Sequence, residues 1–204
     1  MVGWQTMTVD FLAADAPLRD WDNHCLWHPF TPMSAWVTEQ APIISGSDGF
    51  QLIDTAGHRY LDGISSLWCN VHGHHVPEID QAVREQLDRV AHSTLLGLAS
   101  EPSIRLAKAL LDRAPGGLSR VFYSDSGSTA VEVAIKMAVG CWQNRGAARH
   151  RIIAMEHAYH GDMFGAMSVG HRGVFNTAYD PMLFEVSYIP FPERGREHQT
   201  VETL

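Results

Sequence analysis

The chain has 204 residues, of which 45% are hydrophobic and 19% charged, and its formal net charge is −8. This acidic balance argues against a nucleic-acid or membrane-surface partner, because either would call for a basic patch. No apolar run approaches the ~20 residues that span a bilayer. The three cysteines are odd in number and far apart, which favours unpaired thiols in a reducing compartment. The first ten residues lack the pattern of a secretory signal, and we therefore expect a cytoplasmic protein.

Residues 1–76 are predicted to form an N-terminal arm followed by a small antiparallel segment. The first 40 residues are irregular and aromatic, which favours an extended arm with short turns. From Pro42 to Ile64, short apolar stretches alternate with Asp-Gly and Ala-Gly turn signals, a pattern typical of an antiparallel meander. The glycine- and histidine-rich residues 67–76 are predicted to be a loop.

Residues 77–117 are predicted to form two connecting helices. Pro77 opens the first, and its apolar residues repeat at spacings of four, four and three. Ser100 can cap the second helix, and Gly116 lies beyond its end.

Residues 118–204 alternate between strand and helix, which predicts the first part of an α/β large domain with a parallel or mixed sheet. Strands are expected at 120–123, 151–155 and 184–189. A long helix is expected at 129–144, and a loop leading into a short helix at 160–169. Thr200 is a candidate cap for one more helix. Because the chain stops as that helix begins, we expect the domain to be truncated.

The strongest motif is Ser124-Asp-Ser-Gly-Ser-Thr129, which lies between a predicted strand and the long helix. Gly127 allows a tight turn and the close approach of a ligand, and the helix start offers unpaired amides and the positive end of its dipole. Together with the hydroxyl of Ser128, these groups predict a phosphate site. A simple helix cap with a turn glycine explains the same residues, and the motif matches neither of the common nucleotide-binding loops.

Two further motifs suggest the borders of a ligand site. Tyr159 follows a predicted strand, where α/β sheets place their ligands, and it offers a flat ring and a hydroxyl. Leu67 and Trp68 would suit the apolar wall of a substrate pocket, although tryptophans are more often core residues than ligand contacts. Histidines beside both motifs invite a metal hypothesis, but their spacing completes no ligand set, and we predict no metal.

Together, these motifs resemble the subgroup III aminotransferases, which use pyridoxal 5′-phosphate (PLP). The similarity lies in the phosphate motif followed by Ala130-Val-Glu132 and, about 30 residues on, in His157-Ala-Tyr-His-Gly-Asp162. It implies an α/β fold of the aspartate aminotransferase-like type (fold type I of PLP-dependent transferases), with an incomplete large-domain sheet. It also implies that Gly127 and Ser128 hold the cofactor phosphate, and that Tyr159 stacks on the cofactor ring and touches substrate.

Flanking stretches narrow the resemblance to members that transfer an amino group from S-adenosylmethionine to 8-amino-7-oxononanoate, giving 7,8-diaminononanoate in biotin synthesis. These stretches begin at Trp27, Gly63, His72 and Phe164. In such members, which are homodimers, Phe30, Leu67 and Trp68 would line the substrate pocket. Phe30 falls where some members carry a tyrosine, so one hydrogen bond to the keto substrate would be missing. Another class III ω-amino acid transaminase and a non-catalytic PLP- or phosphate-binding protein are the alternatives.

PLP transamination also needs a lysine that forms the Schiff base and an acid that pairs with the pyridine nitrogen. In the family that this chain resembles, both come later than position 204. The two lysines of the chain, Lys108 and Lys136, match neither the position nor the setting of the family's lysine. We therefore predict that the chain holds no catalytic residue, resembles roughly the first half of the enzyme, and is inactive by itself. A genuine short binding protein is the competing explanation.

Overall fold

The computed structural model describes residues 18–204. Its internal contacts divide the chain into two units, Met1–Leu98 and Ala99–Leu204. The division falls between the two connecting helices, whereas the sequence suggested boundaries after residues 76 and 117. None of the described helices is long and apolar enough to cross a membrane.

Within residues 18–98, the first unit contains a three-stranded sheet and four helical segments. In chain order these are α1 (Leu18–Cys25), α2 (Met33–Trp36), β1 (Ile44–Asp48), β2 (Gln51–Asp54), β3 (Arg59–Leu61), α3 (Ser65–Trp68) and α4 (Pro77–Arg89). The predicted meander is confirmed, because the strands pair antiparallel in the order β1-β2-β3. Gly49 occupies the tight turn between β1 and β2 with a φ of +56°, a conformation that glycine adopts without steric cost.

The predicted extended arm is wrong for the part of it that the structure describes, where α1 and α2 form. Its first 17 residues lie outside the described residues. The Asp22 carboxylate on α1 accepts hydrogen bonds from the indole of Trp36 at 2.9 Å and from the His28 ring at 2.7 Å. Because these contacts join residues up to 14 positions apart, the local composition of the arm did not indicate them.

The two connecting helices are confirmed, as α4 and α5 (Glu101–Leu111). Pro77 occupies the first turn of α4 and Ser100 the N-cap position of α5, although the Ser100 side chain makes no capping hydrogen bond. The apolar residues that predicted α4 are about half exposed, so its amphipathic face is not covered by the described residues.

The second unit continues from α5 with a long helix, a two-stranded parallel sheet and three shorter helices. These are α6 (Gly127–Asn144), β4 (Ile153–Met155), α7 (Phe164–Val169), a 3-10 helix (Thr177–Met182), β5 (Ser187–Ile189) and α8 (Glu197–Thr203). The expected parallel pairing is confirmed, with Ile153 opposite Ser187 and Met155 opposite Ile189. The core of this unit lies between β4, α7 and β5, and its buried apolar residues are Ala154, Ala166, Met167, Val169 and Ile189.

Two expectations for the second unit are wrong. Residues 120–123 form no strand, because no described strand pairs with them, and Tyr123 instead donates a hydrogen bond to the Ser103 carbonyl of α5 at 2.6 Å. Thr200 does not cap a helix. It lies inside α8 and is buried, and its hydroxyl donates to the Pro190 carbonyl at 2.9 Å. In both cases a tertiary hydrogen bond overrides the local pattern.

Asp54, at the end of β2, offers a test of how the meander is held together. Burial by itself raises the pKa of Asp54, but hydrogen bonds from the side chain and amide of His58 and from the Tyr60 hydroxyl outweigh it and lower the pKa from 3.8 to about 2. A carboxylate with a depressed pKa contributes stability above its unfolded pKa, and this contribution is lost as the pH falls through the folded value.

We therefore expect the free energy of unfolding of the wild-type meander to fall as the pH drops from about 4 to about 2. Asp54→Asn should be less stable at pH 7 and should lose less stability over that interval. Denaturant unfolding at a series of pH values measures both effects. Parallel pH profiles for the two proteins would contradict this role for Asp54.

Candidate functional site

The N-terminus of α6 presents backbone amides that can donate hydrogen bonds to a ligand. Ser126 is its N-cap: the Ser126 side chain accepts from the Thr129 amide at 3.1 Å, and the Thr129 hydroxyl accepts from the Ser126 amide at 3.0 Å. This reciprocal capping box starts the helix two residues before the predicted start. No described residue accepts from the amides of Gly127 and Ser128. Two free donors at the positive end of an 18-residue helix are the chemistry that binds a phosphate.

Space at the helix start suits a ligand as well. A Cβ atom added at Gly127 would meet nothing within 4 Å, so the surroundings of this residue are open. One charge nearby opposes an anion. The Asp125 carboxylate accepts from the Thr129 hydroxyl at 2.7 Å, and this hydrogen bond holds the pKa of Asp125 below its ordinary value. A phosphate bound here would rely on the two amides and the helix dipole to offset that negative charge.

The loop between β4 and α7 carries Tyr159 and lies directly against the α6 N-terminus. Gly161 approaches Ser128 so closely that an added Cβ would lie 2.5 Å from both the Cβ and the Oγ of Ser128. The Met163 amide also donates to the Ser128 hydroxyl oxygen at 2.9 Å. These two contacts lie two and four residues after Tyr159, so the loop that carries Tyr159 adjoins the helix start that carries Gly127 and Ser128.

The Tyr159 side chain is 72% exposed, so both its ring and its hydroxyl are accessible. The hydroxyl donates to the Asp162 carboxylate at 2.9 Å, and this hydrogen bond raises the pKa of Tyr159 above its ordinary value. The tyrosine is therefore protonated at neutral pH and its orientation is set by Asp162. A flat ring held beside a phosphate site is suited to stacking on a planar ligand.

Sequence reasoning assigned no role to Glu132, although the structure makes it a second link between α6 and α7. Its Oε1 atom accepts from the Gly165 amide at 2.6 Å and from the Ala166 amide at 3.0 Å. Gly165 packs against the carboxylate, since an added Cβ there would lie 2.6 Å from Oε2. The sequence pattern that could have indicated this role is the spacing: Glu132 follows Ser128 by four residues, so both lie on the same face of the helix.

The predicted substrate-wall residues belong to the first unit, and all three are exposed. The exposed fractions are 90% for Phe30, 62% for Leu67 and 77% for Trp68. Neither Trp27 nor Trp68 is buried, which argues against a simple core role within the described part of the chain. Phe30 also has a left-handed backbone, with a φ of +53°.

Helix α3, which carries Leu67 and Trp68, is a single left-handed turn. The φ angles from Ser65 to Trp68 are +52°, +47°, +63° and +70°. The Trp68 amide donates to the Ile64 carbonyl at 2.8 Å and the Cys69 amide to the Ser65 carbonyl at 2.9 Å, so the hydrogen bonding is helical. The prediction of a loop starting at Leu67 is wrong for these residues. A left-handed conformation costs about 1–2 kcal/mol for each non-glycine residue, so surrounding contacts must support this turn.

The two lysines lie on helices, as expected for surface residues. Lys108, on α5, is paired with Asp112 at 2.6 Å. Lys136 lies eight residues after Ser128 on α6, which places it about 12 Å further along the helix axis. Among residues 18–204, no three histidine, cysteine or acidic side chains are grouped to hold a metal ion.

Comparison with known proteins identifies what this arrangement resembles. The model of the family Aminotransferase class-III matches residues 33–203. The adenosylmethionine-8-amino-7-oxononanoate aminotransferase of Nitratidesulfovibrio vulgaris is 54% identical over 180 residues, which cover 87% of this chain and 33% of the relative. The protein of the same name from Geobacter sulfurreducens is 48% identical over 176 residues, covering 86% of this chain and 39% of the relative.

The crystal structure of the adenosylmethionine-8-amino-7-oxononanoate aminotransferase from Methanocaldococcus jannaschii matches with a TM-score of 0.86 and 42% identity. The match covers 92% of this chain and 43% of that one, so the chain spans less than half the length of the relatives it matches. The predicted fold class, the type I transaminase fold, is confirmed by this similarity. With nearly all of its described residues matched by one family model, the chain belongs to the class-III aminotransferases, a family of enzymes.

Proposed function

We propose that this chain, which we expect to be inactive by itself, is part of a PLP-dependent aminotransferase of biotin biosynthesis. The complete enzyme would transfer the amino group of S-adenosylmethionine to 8-amino-7-oxononanoate and release 7,8-diaminononanoate. The names of relatives at 54% and 48% identity support this reaction. The observation that carries the proposal is the open α6 N-terminus, whose two free amides adjoin the loop that carries an exposed tyrosine.

The residues at the α6 N-terminus fit the phosphate group of this cofactor. The amides of Gly127 and Ser128 would each donate one hydrogen bond. The Ser128 hydroxyl oxygen already accepts from the Met163 amide, so its own hydrogen is available to donate to a phosphate oxygen. When bound, PLP would supply an electron sink for the reacting carbon and would itself carry the amino group between the two substrates.

The other site residues would orient and select rather than react. Tyr159 would stack on the cofactor ring, with Asp162 fixing the direction of its hydroxyl. Phe30, Leu67 and Trp68 would contact the apolar chain of 8-amino-7-oxononanoate, because their exposed side chains offer apolar area without a charge. Phe30 offers no hydroxyl to the substrate.

Neither Lys108 nor Lys136 is proposed to bond to the cofactor. Lys108 is engaged by Asp112, and Lys136 lies two helical turns beyond the proposed phosphate site. We therefore expect that borohydride reduction in the presence of PLP leaves no fold-dependent adduct on either lysine. The family resemblance also supports a homodimer as the working assembly.

Amino transfer by the complete chain that the gene encodes is the direct test. We expect the purified protein to bind PLP and to form 7,8-diaminononanoate from 8-amino-7-oxononanoate with S-adenosylmethionine as the amino donor, measured by mass spectrometry. Transfer from other amine donors with none from S-adenosylmethionine would replace the proposal with a different ω-amino acid transaminase. Cofactor binding with no transfer from any donor would instead indicate a non-catalytic binder.

A further inference from the structure

The left-handed turn α3 is supported by one nearly buried carboxylate. Asp62 directly follows β3, and its side chain is 6% exposed. Three donors converge on it: the Ser66 amide at 2.8 Å, the Ser66 hydroxyl at 2.8 Å and the His74 ring Nε2 at 3.1 Å. Both Ser66 groups lie inside the left-handed turn, so Asp62 bonds directly to the residues whose backbone is strained.

His74 ties this carboxylate to the antiparallel sheet. Its amide donates to the Gly49 carbonyl at 2.7 Å, and the two residues form an isolated β-bridge beside the turn between β1 and β2. The Asn70 side-chain amide lies 2.8 Å from His74 Nδ1, its shorter contact with the ring, and 3.0 Å from Nε2. One tautomer satisfies both ring contacts, with Nε2–H donating to Asp62 and Nδ1 accepting from Asn70. Both partners of the ring reach the turn: Asp62 through Ser66, and Asn70 through the hydrogen bond that its backbone amide donates to the Ser65 carbonyl at 2.9 Å.

Gly73 makes the close approach to the sheet possible. Its φ is +88°, and an added Cβ would lie 3.0 Å from the Gly49 carbonyl oxygen and 3.2 Å from the Phe50 ring. A continuous path of contacts thus runs from the meander through His74 and Asp62 to Ser66. Leu67 and Trp68 follow Ser66 immediately and remain exposed.

We propose that Asp62 and His74 are positioning residues that hold the left-handed turn and thereby fix Leu67 and Trp68 for recognition of the apolar substrate chain. The inference rests on the proposed function, because that function assigns the two side chains to the substrate. Neither positioning residue touches the substrate: each acts through Ser66 and the backbone of the turn. Loss of either contact should impair recognition of 8-amino-7-oxononanoate and leave phosphate binding at α6 intact.

The test uses His74 variants of the complete holoenzyme. His74→Ala should raise the KM for 8-amino-7-oxononanoate about tenfold, as expected for one lost hydrogen bond to a charged group, with the Kd for PLP unchanged. His74→Gln should restore most of the affinity, because its amide nitrogen can donate to Asp62 as the ring Nε2 does. A residue that only stabilises the fold would not produce this split between substrate and cofactor.

Relief of backbone strain provides a second, independent rescue. Ser65→Gly removes the steric cost of the left-handed conformation, so it should partly restore substrate affinity to the His74→Ala protein. Ser47→Gly, on β1, is the matched control and should restore none. Acrylamide quenching of Trp68 fluorescence provides a readout that needs no catalysis, with the Trp68 signal isolated by subtracting that of matching Trp68→Phe proteins. Quenching should change in the His74→Ala protein, return partly toward the wild-type value with Ser65→Gly, and not return with Ser47→Gly.

The two hypotheses fail in different ways. Unchanged substrate KM and unchanged Trp68 quenching in His74→Ala would overturn the positioning role while leaving the proposed reaction in place. A wild-type protein that binds PLP and transfers no amino group would overturn the proposed reaction. A rise in substrate KM that Ser65→Gly and Ser47→Gly rescue equally would also overturn the inference, because relief of left-handed strain would then not be the cause.

Discussion

Gly161→Ala is expected to push the Tyr159 loop away from the α6 N-terminus and to weaken PLP binding by about tenfold or more, the effect of losing roughly one good contact. The new Cβ would lie 2.5 Å from two side-chain atoms of Ser128 and 2.8 Å from its Cα. These atoms belong to a helix start held by a capping box and cannot move aside as the end of a long side chain can. The φ of +120° at Gly161 adds strain for any residue with a Cβ.

The expected stability loss is about 1–3 kcal/mol from overpacking alone, and denaturant unfolding of the complete chain measures it. Titration with PLP and with pyridoxal, which lacks the phosphate, separates disturbance of the phosphate site from displacement of the Tyr159 loop. A disturbed phosphate site should weaken PLP binding more than pyridoxal binding.

Gly140→Ala is the matched control for the Gly161 substitution. Gly140 also belongs to the second unit, but it lies inside α6, and an added Cβ there meets nothing within 4 Å. Alanine should stabilise the helix by up to about 1 kcal/mol and leave cofactor binding unchanged. A Gly161→Ala protein with wild-type stability and wild-type affinity for PLP would contradict the close packing of this loop on Ser128.

Glu132→Ala is expected to detach the start of α7 from α6. The substitution removes the acceptor of two amides, those of Gly165 and Ala166, and both residues are buried. A buried donor left without an acceptor costs about 1–3 kcal/mol, so the expected loss of stability for the two amides is about 2–6 kcal/mol. Because α7 follows the Tyr159 loop, the affinity for PLP should fall together with the stability.

Glu132→Gln separates hydrogen bonding from charge. Both amides donate to the same oxygen, Oε1, and glutamine keeps a carbonyl oxygen at that position. We expect the glutamine protein to retain most of the stability and affinity that the alanine protein loses, as measured by denaturant unfolding and cofactor titration. Equal losses in the two proteins would show that the negative charge at the start of α7, rather than the shared acceptor, is what matters.

Elements with a strong local pattern were predictable from sequence. The meander followed from short apolar stretches between Asp-Gly and Ala-Gly turns, and α6 followed from its alanine- and valine-rich run after Ser126. Residues 120–123 looked like a strand for the same local reason. A strand also needs a neighbour, and no described strand supplies one. Local propensity therefore described the segment as extended without deciding its pairing.

The motifs of the sequence were enough to identify the family and to name the residues of the proposed phosphate site. The motif around Gly127 and Ser128 is local, because a helix start and its amides are set by adjacent residues. Tyr159 could be named from its own motif for the same reason. The assignments of these residues to cofactor, and of Phe30, Leu67 and Trp68 to substrate, remain proposals that the experiments above address.

The way these motifs are held depends on contacts between segments that are distant in the chain. Glu132 and Gly161 join α6 to segments about 30 residues away, and Asp62 and His74 support a left-handed turn that no propensity favours. All of these long-range contacts have the same physical property. Contacts between residues distant in the chain leave no period or composition in the sequence, yet they supply the free energy that holds a strained or closely packed backbone in place.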